Sequence, residues 1–208
     1  MTERTALANQ SRGVVLEYGI VIARGIQGRR RALPERLTAE TLPELVGEVV
    51  EELRERVLEL ARRIAEYDRR SEQLAKQNEA ACRLMQVEGV GPITATAVVA
   101  TLGEGHAFQH GRQFAAWGGL VPRQHSTGGK PVLGRITKHG NVYLRTLLIH
   151  GARAVLQFSA KRTDQKSRWV EGVRRRRGNN IAAVALAAKH ARILWALLAR
   201  GQEYRLAA

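Results

Sequence analysis

Residues 117–145 read WGGLVPRQHSTGGKPVLGRITKHGNVYLR. They hold one serine, Ser126, followed by Thr127, among Arg123, Lys130, Arg135, Lys138 and Arg145, with no acidic residue. Guanidinium and ammonium groups neutralise phosphate oxygens, and glycines such as Gly128 and Gly129 let backbone N–H groups approach a ligand closely. This composition suits a loop that grips a phosphodiester around one hydroxyl. A serine Oγ is a weak nucleophile at neutral pH, so attack on phosphorus needs a proton acceptor and cations that stabilise the phosphoryl oxygens. Arg123, Lys130, Arg135, Lys138 and Arg145 are candidates for the second task, with His125 adjacent to the serine. The plainer reading of Ser126 is a turn residue without chemistry.

The charge distribution supports a nucleic-acid ligand. The 208-residue chain has 34 Lys+Arg against 19 Asp+Glu; from Glu104 onward there are 19 basic and 4 acidic residues, which leaves 15 of each sign in residues 1–103. All the excess positive charge therefore lies in the second half, as in a basic binding domain carried on a neutral scaffold. A solvated basic surface is the alternative.

A single cysteine, Cys82, excludes an intramolecular disulfide and fits a reducing, cytoplasmic setting. No apolar run is read as long enough for a membrane span. Six histidines with one cysteine make no structural zinc set, and His106 and His110, four apart, lie in a glycine-flanked stretch that is not clearly helical. No metal site is expected.

The elements that must position the basic segment are mainly helical. Residues 1–40 read as an N-terminal remnant or linker, with a helix over about Glu3 to Ser11, then VVLEYGIVIARGI, either strand or buried helix, then Arg29, Arg30 and Arg31. Residues 41–80 read as a coiled coil from about Pro43 to Asn78: Leu53, Val57, Leu60, Ile64, Tyr67 and Leu74 step by four and three, with Ser71 filling the remaining seam position. Its partner is either a second copy or the chain's own N-terminal helix. Residues 81–208 read as a compact helical domain. In 81–103, a helix ending near Val87, the turn EGVGP and a helix over Ile93 to Leu102 resemble a helix-hairpin-helix element, with Gly89 and Gly91 permitting the turn and Pro92 opening the second helix. A plain helix–turn–helix connection reads the same way. Phe108, Phe114 and Trp117 suit core packing better than base stacking. Helices are expected over Val142 to Phe158 and Asn180 to Ala199, joined by a basic linker from Lys161 to Arg177.

Three ordered blocks, GVGPITATAVVATLG, then GRQFAAWGGLVPRQHSTGGKPVLGRITKHGNVYLRTLLIHGARAVL, then AAVALAAKHARILWALLARGQEYR, resemble the C-terminal half of the Piv-like, DEDD-class insertion-sequence transposases, namely insertion-sequence family one hundred and ten and especially its eleven-eleven subgroup. The resemblance covers nearly the whole chain from about Arg4. It implies a recombinase built from a RuvC-like nuclease domain, a coiled coil and a C-terminal domain with a DNA-attacking serine. It also implies guidance by a noncoding RNA and assembly of several subunits. On this resemblance the chain corresponds to the coiled coil and transposase domain, a truncated member inactive alone, with Mg2+ expected only in the missing RuvC-like domain. The two aspartates, Asp68 and Asp164, do not make a two-metal carboxylate set. Many relatives place the serine immediately before the first glycine, where this chain has Thr127. Relatives of the eleven-eleven subgroup commonly carry two hydroxyl residues there, which favours Ser126, the less hindered alcohol, with Thr127 as the alternative. The competing functions are a catalytically silent nucleic-acid-binding remnant and a helix-hairpin-helix architectural DNA-binding protein.

Overall fold

A computed structural model describes residues 2–22, 42–125, 128–130 and 132–204. These form eight α-helices and a two-stranded antiparallel hairpin, a mainly α architecture. They divide into two compact units, 1–70 and 71–208.

In the first unit, α1 spans Thr2–Glu17, longer than expected because the run Val14, Val15, Leu16, Glu17 stays helical. It ends where the Gly19 N–H donates to the Leu16 carbonyl. Val15, Ile22 and Val50 are buried together, with Val14, Ile20, Leu42 and Val46 packed around them. Arg29, Arg30 and Arg31 lie outside the described residues. Helix α2, Glu44–Gln77, follows the seven-residue apolar repeat, and the division between the units falls within it. Arg54 with Glu51, Arg63 with Glu59, Arg70 with Glu66 and Lys76 with Glu72 pair along its solvated faces. Such exposed pairs contribute little each. On the apolar seam Leu53 is buried, whereas Tyr67 and Leu74 are 62% and 60% exposed.

The second unit contains α3 (Glu79–Met85), α4 (Pro92–Leu102), α5 (Gly111–Trp117), strands β1 (Pro122–Gln124) and β2 (Leu133–Ile136), α6 (Val142–Leu156), a 3-10 turn (Ser159–Lys161), α7 (Gln165–Arg177) and α8 (Asn179–Ala199). Helix α8 is the axis, packed by α5, α6 and α7 and touched by α3 and α4. Its buried face is built of Ala182, Ala183, Ala187 and Ala191 with Leu186 and Leu194. Small side chains let neighbouring helices approach closely, and the leucines fill the spaces left between them. At 21 residues α8 is long and apolar enough to cross a bilayer by length and composition, contrary to the sequence reading. Half of that apolar stretch is buried within the unit.

The expected basic linker is a correction of another kind: residues 165–177 are helix α7. Asp164 caps its start by accepting from the Ser167 N–H at 3.0 Å and Oγ–H at 2.7 Å, and arginines 174–177 occupy the last turn, where the helix dipole favours cations. Burial raises the Asp164 pKa, but the Ser167 bonds and Arg162 outweigh it and bring it down to about 2. Lys166, itself buried, donates to Glu88 at 2.6 Å and to the Tyr204 hydroxyl at 3.3 Å, which ties α7 to the α3–α4 turn and to the chain beyond α8.

His190 lies on the buried face of α8, and its Nε2 has no hydrogen-bond partner. Burial first, then the nearby charges of Lys166 and Lys189, lowers its pKa from 6.5 to about 3. Between these values the unfolded chain binds a proton that the native state refuses, so its contribution to stability is complete above about pH 6.5 and is lost as pH falls toward 3. Urea unfolding should show a loss of about 2 kcal/mol between pH 7 and pH 5 from this residue. A His190→Leu variant should lack that component, and an identical pH dependence in both proteins would assign the acid sensitivity elsewhere.

Candidate nucleic-acid interface

Segment 118–141 is anchored by one close backbone crossing, two backbone hydrogen bonds and one cation. β1 and β2 pair antiparallel, Pro122 opposite Ile136 and Gln124 opposite Leu133, with an irregularity between. Every residue of β1 and Leu133, Gly134 and Arg135 of β2 are exposed. Two strands without a covering sheet or helix are marginal alone, so the ribbon depends on its base. There the Thr137 N–H donates to the Val121 carbonyl at 2.9 Å and the Lys138 N–H to the Gly119 carbonyl at 3.2 Å. Gly140 crosses Trp117 so closely that a Cβ would lie 1.8 Å from the Trp117 carbonyl oxygen. Only glycine fits this approach, and its φ of +72° suits glycine as well.

Arg145 closes the base. Its side chain leaves α6 and Nη1 donates to the His139 carbonyl at 2.9 Å and the Gly118 carbonyl at 3.2 Å, one on each leg of the hairpin. Arg145 is 8% exposed, and no carboxylate pairs with it among the described residues. Expected at the nucleic acid, it is engaged instead by backbone carbonyls and positions the residues that face solvent. On α5 and the turn before it, Phe108, Phe114 and Trp117 pack with ring centroids 5.4 to 6.0 Å apart. Phe114 is buried, while Trp117 is 37% exposed.

The remaining sequence candidates fall in three groups. Arg123, Lys130, Arg135 and Lys138 are exposed, and none has a carboxylate partner among the described residues; Arg123 donates to the Thr137 carbonyl at 3.3 Å. Lys138 sits at φ +60°, a left-handed conformation that costs a lysine about 1 kcal/mol or more and is held here by the bonds to its neighbours. Gly128 and Gly129, also left-handed and exposed, lie at the tip, while Ser126 and Thr127 fall outside the described residues. Gly89 and Gly91 belong to the α3–α4 turn. A Cβ on Gly89 would lie 2.5 Å from the Gly151 carbonyl oxygen, so that glycine serves the close packing of the turn on α6. Gly91 is exposed at the start of α4, which has Pro92 at its first position and no side-chain cap.

Sequence reasoning missed several residues that act here. The clamp role of Arg145 has no local signal, because it is set by carbonyls 6 and 27 residues away. Tyr143, 59% exposed on the first turn of α6, adds an aromatic face next to the hairpin's last residues. His110 is the cap of α5, its Nδ1 accepting from the Gln113 N–H at 3.1 Å. No three His, Cys, Asp or Glu side chains gather around a metal position among the described residues.

The interface lies within residues 81–168, which match the family described as Transposase IS116/IS110/IS902 family. Residues 81–168 are thus similar to an insertion-sequence transposase domain. The chain is similar over 97% of its length to a Pseudomonas aeruginosa protein named "Probable family 20 transposase", 50% identical across 61% of that protein. It is also 46% identical, over 99% of its length, to the "Transposase for insertion sequence element IS1111A" of Coxiella burnetii, and 36% identical, over 96%, to the "Transposase for insertion sequence element IS1328" of Yersinia enterocolitica. Those matches cover 57% and 59% of the two relatives, so the chain spans under two thirds of the length of each of these relatives.

Replacing Arg145 by alanine should leave the Gly118 and His139 carbonyls unpaired and lower the stability of this domain by about 2–3 kcal/mol. Amide exchange at Thr137 and Lys138 should accelerate more than at Leu186 in α8. Uniform acceleration throughout the domain would make Arg145 a general core residue and not the clamp of the hairpin.

Proposed function

We propose that this chain is the nucleic-acid-engaging part of an insertion-sequence transposase and carries its serine nucleophile. The observation that supports this most is the braced, exposed ribbon whose cations have no carboxylate partners among the described residues, within the segment similar to a transposase domain. Arg123, Lys130, Arg135 and Lys138 take the backbone phosphates, and the Ser126 Oγ attacks phosphorus. A new serine O–P bond forms while the P–O bond to one deoxyribose breaks. The serine proton passes to a base and the departing sugar oxygen takes one up, so a phosphoserine ester conserves the bond for rejoining. The four cations stabilise the charge on the non-bridging oxygens during the exchange.

Magnesium belongs to a RuvC-like, DEDD-class nuclease domain in this reading. The described residues hold no donor set for it: Asp164 is occupied by Ser167 and Arg162, and Asp68 lies in the other unit. The α3–α4 turn acts as a helix-hairpin-helix contact to the duplex, a noncoding RNA selects the sites, and the α2 seam joins two copies through the surface that exposes Tyr67 and Leu74.

In an assay supplied with a relative's RuvC-like domain and guide RNA, Ser126→Ala should abolish the covalent protein–DNA adduct and change affinity only a few-fold. Arg135→Ala should weaken binding and reaction together. An adduct lost only in Thr127→Ala would move the nucleophile by one residue. Its persistence in both variants would remove the segment from the chemistry and leave a silent binding protein.

The seam carries its own expectation. Replacing Leu60 and Ile64 together by glutamate should convert the dimer to monomers in sedimentation, since large apolar seam residues contribute about 2–5 kcal/mol each. A wild-type chain that sediments as a monomer at high micromolar concentration would exclude pairing of two copies.

A further inference from the structure

A second group of cations lies at the other end of α6 from the hairpin. Arg153, Leu156 and Gln157 at the end of α6, Arg174 on α7 and Asn179 and Asn180 at the start of α8 line a concavity of about 300 Å³. At 1.5 Å per residue, Leu156 lies about 16 Å along α6 from Arg145, so this corner is separate from the hairpin base. Arg175, Arg176 and Arg177 continue the last turn of α7 beside it.

A basic last turn has an ordinary explanation in the helix dipole and solvent. Two observations go beyond that explanation. Arg153 reaches the corner from a different helix, and its Nη2 donates to Asn180 Oδ1 at 3.4 Å, so guanidinium groups of two elements converge on one concavity. The local carboxylate is also committed: Glu171 accepts from Ser159 Oγ at 2.6 Å and pairs with Arg174 at 3.0 Å. Arg153, Arg176 and Arg177 have no carboxylate partner among the described residues, and Arg175 interacts with Glu171 only through its charge, without an ion-pair contact. Arg153 also lies in the last turn of its helix, so dipole compensation accounts for about one charge at each of the two helix ends; it does not account for both ends meeting at one concavity or for the further arginines of α7.

We propose that the corner formed by the end of α6, the end of α7 and the start of α8 is a second phosphodiester contact, holding the backbone of a DNA or RNA strand away from the hairpin. This rests on the reading of the domain as nucleic-acid-binding but not on Ser126 or on the hairpin's own cations. Two arginines lining one concavity, with three more on the adjoining turn of α7, suit the capture of phosphate oxygens.

The test uses the full chain and measures affinity by fluorescence anisotropy at low and moderate salt, on a duplex DNA and on an RNA stem-loop of equal length. Substituting Arg175, Arg176 and Arg177 together by glutamine should reduce the salt slope on duplex DNA by about 2–3, at roughly 0.9 for each phosphate no longer neutralised. The corresponding lysine triple, which keeps the charge, should retain most of the slope. Reduction on one ligand only assigns the strand as DNA or RNA; reduction on both marks a site for either. Should the glutamine triple lose helicity by circular dichroism, Arg153→Gln, on another helix, should reduce the slope by about 1. A hairpin variant, Arg123→Gln with Lys130→Gln and Arg135→Gln, run in parallel separates the two readings. A loss confined to the hairpin variant overturns the corner, and a loss confined to the corner variants overturns the hairpin while the corner stands. Unchanged slopes on both ligands in folded corner variants also overturn the proposal.

Discussion

A buried guanidinium without a carboxylate partner is the constraint on which the presentation of the basic segment depends. Arg145 sits in the first turns of α6, where the dipole disfavours a cation, and it is satisfied there by two backbone carbonyls. Those carbonyls belong to Gly118 and His139, so the same bonds that stabilise the charge hold the two legs of the hairpin together. The ribbon beyond has no sheet to rest on, and its side chains face solvent. Local strand pairing over three or four residues is too weak to orient it, which makes the clamp, together with the close crossing of Gly140 over Trp117, the source of its direction.

The clamp requires α6 to be immobile, and α8 provides this. An alanine-rich face lets α5, α6 and α7 approach one axis. Close approach strengthens the dispersion attraction between helices and leaves little freedom for sliding. The cost of such a face is that each alanine buries little apolar area, so the core relies on Leu186, Leu194, Leu144, Leu148 and Phe114 to fill the interior. His190 in that core is an exception. Burial, with the nearby charges of Lys166 and Lys189, lowers its pKa to about 3 and keeps the imidazole neutral in the folded core.

Much of the helical framework is legible in the sequence because the signals are local. The seven-residue repeat of α2, the Gly–Pro start of α4 and the apolar run of α8 are patterns within single elements, and each helix lies within a few residues of its expected bounds. Helix α7 is hidden because its four arginines and the low apolar content of residues 161–177 resemble a linker; the Asp164 cap, three residues before Ser167, is the available sign. The site divides in the same way. Exposure of Arg123, Lys130, Arg135 and Lys138 follows from composition alone. The inward turn of Arg145 cannot be read, because a cation among apolar residues looks the same whether it reaches a ligand or distant carbonyls. Gly89 reads as a ligand-facing glycine, whereas its close approach to Gly151, 62 positions later, shows that the missing side chain serves helix packing.

The placement of carboxylates explains why so basic a domain can fold and still leave cations for a ligand. Its interior acids are few and each is committed to the fold: Glu88 to Lys166 and Arg162, Asp164 to Ser167 and Arg162, Glu171 to Ser159 and Arg174. All three cluster around the start and middle of α7, where they neutralise buried or half-buried cations that would otherwise oppose folding. None lies on the hairpin. Like charges on an exposed ribbon repel only weakly through water and salt, so the fold tolerates them there at small cost. A polyanion laid along the ribbon would be attracted to these cations and would screen their mutual repulsion, and residues 117–145 contain no acid to compete with its phosphates.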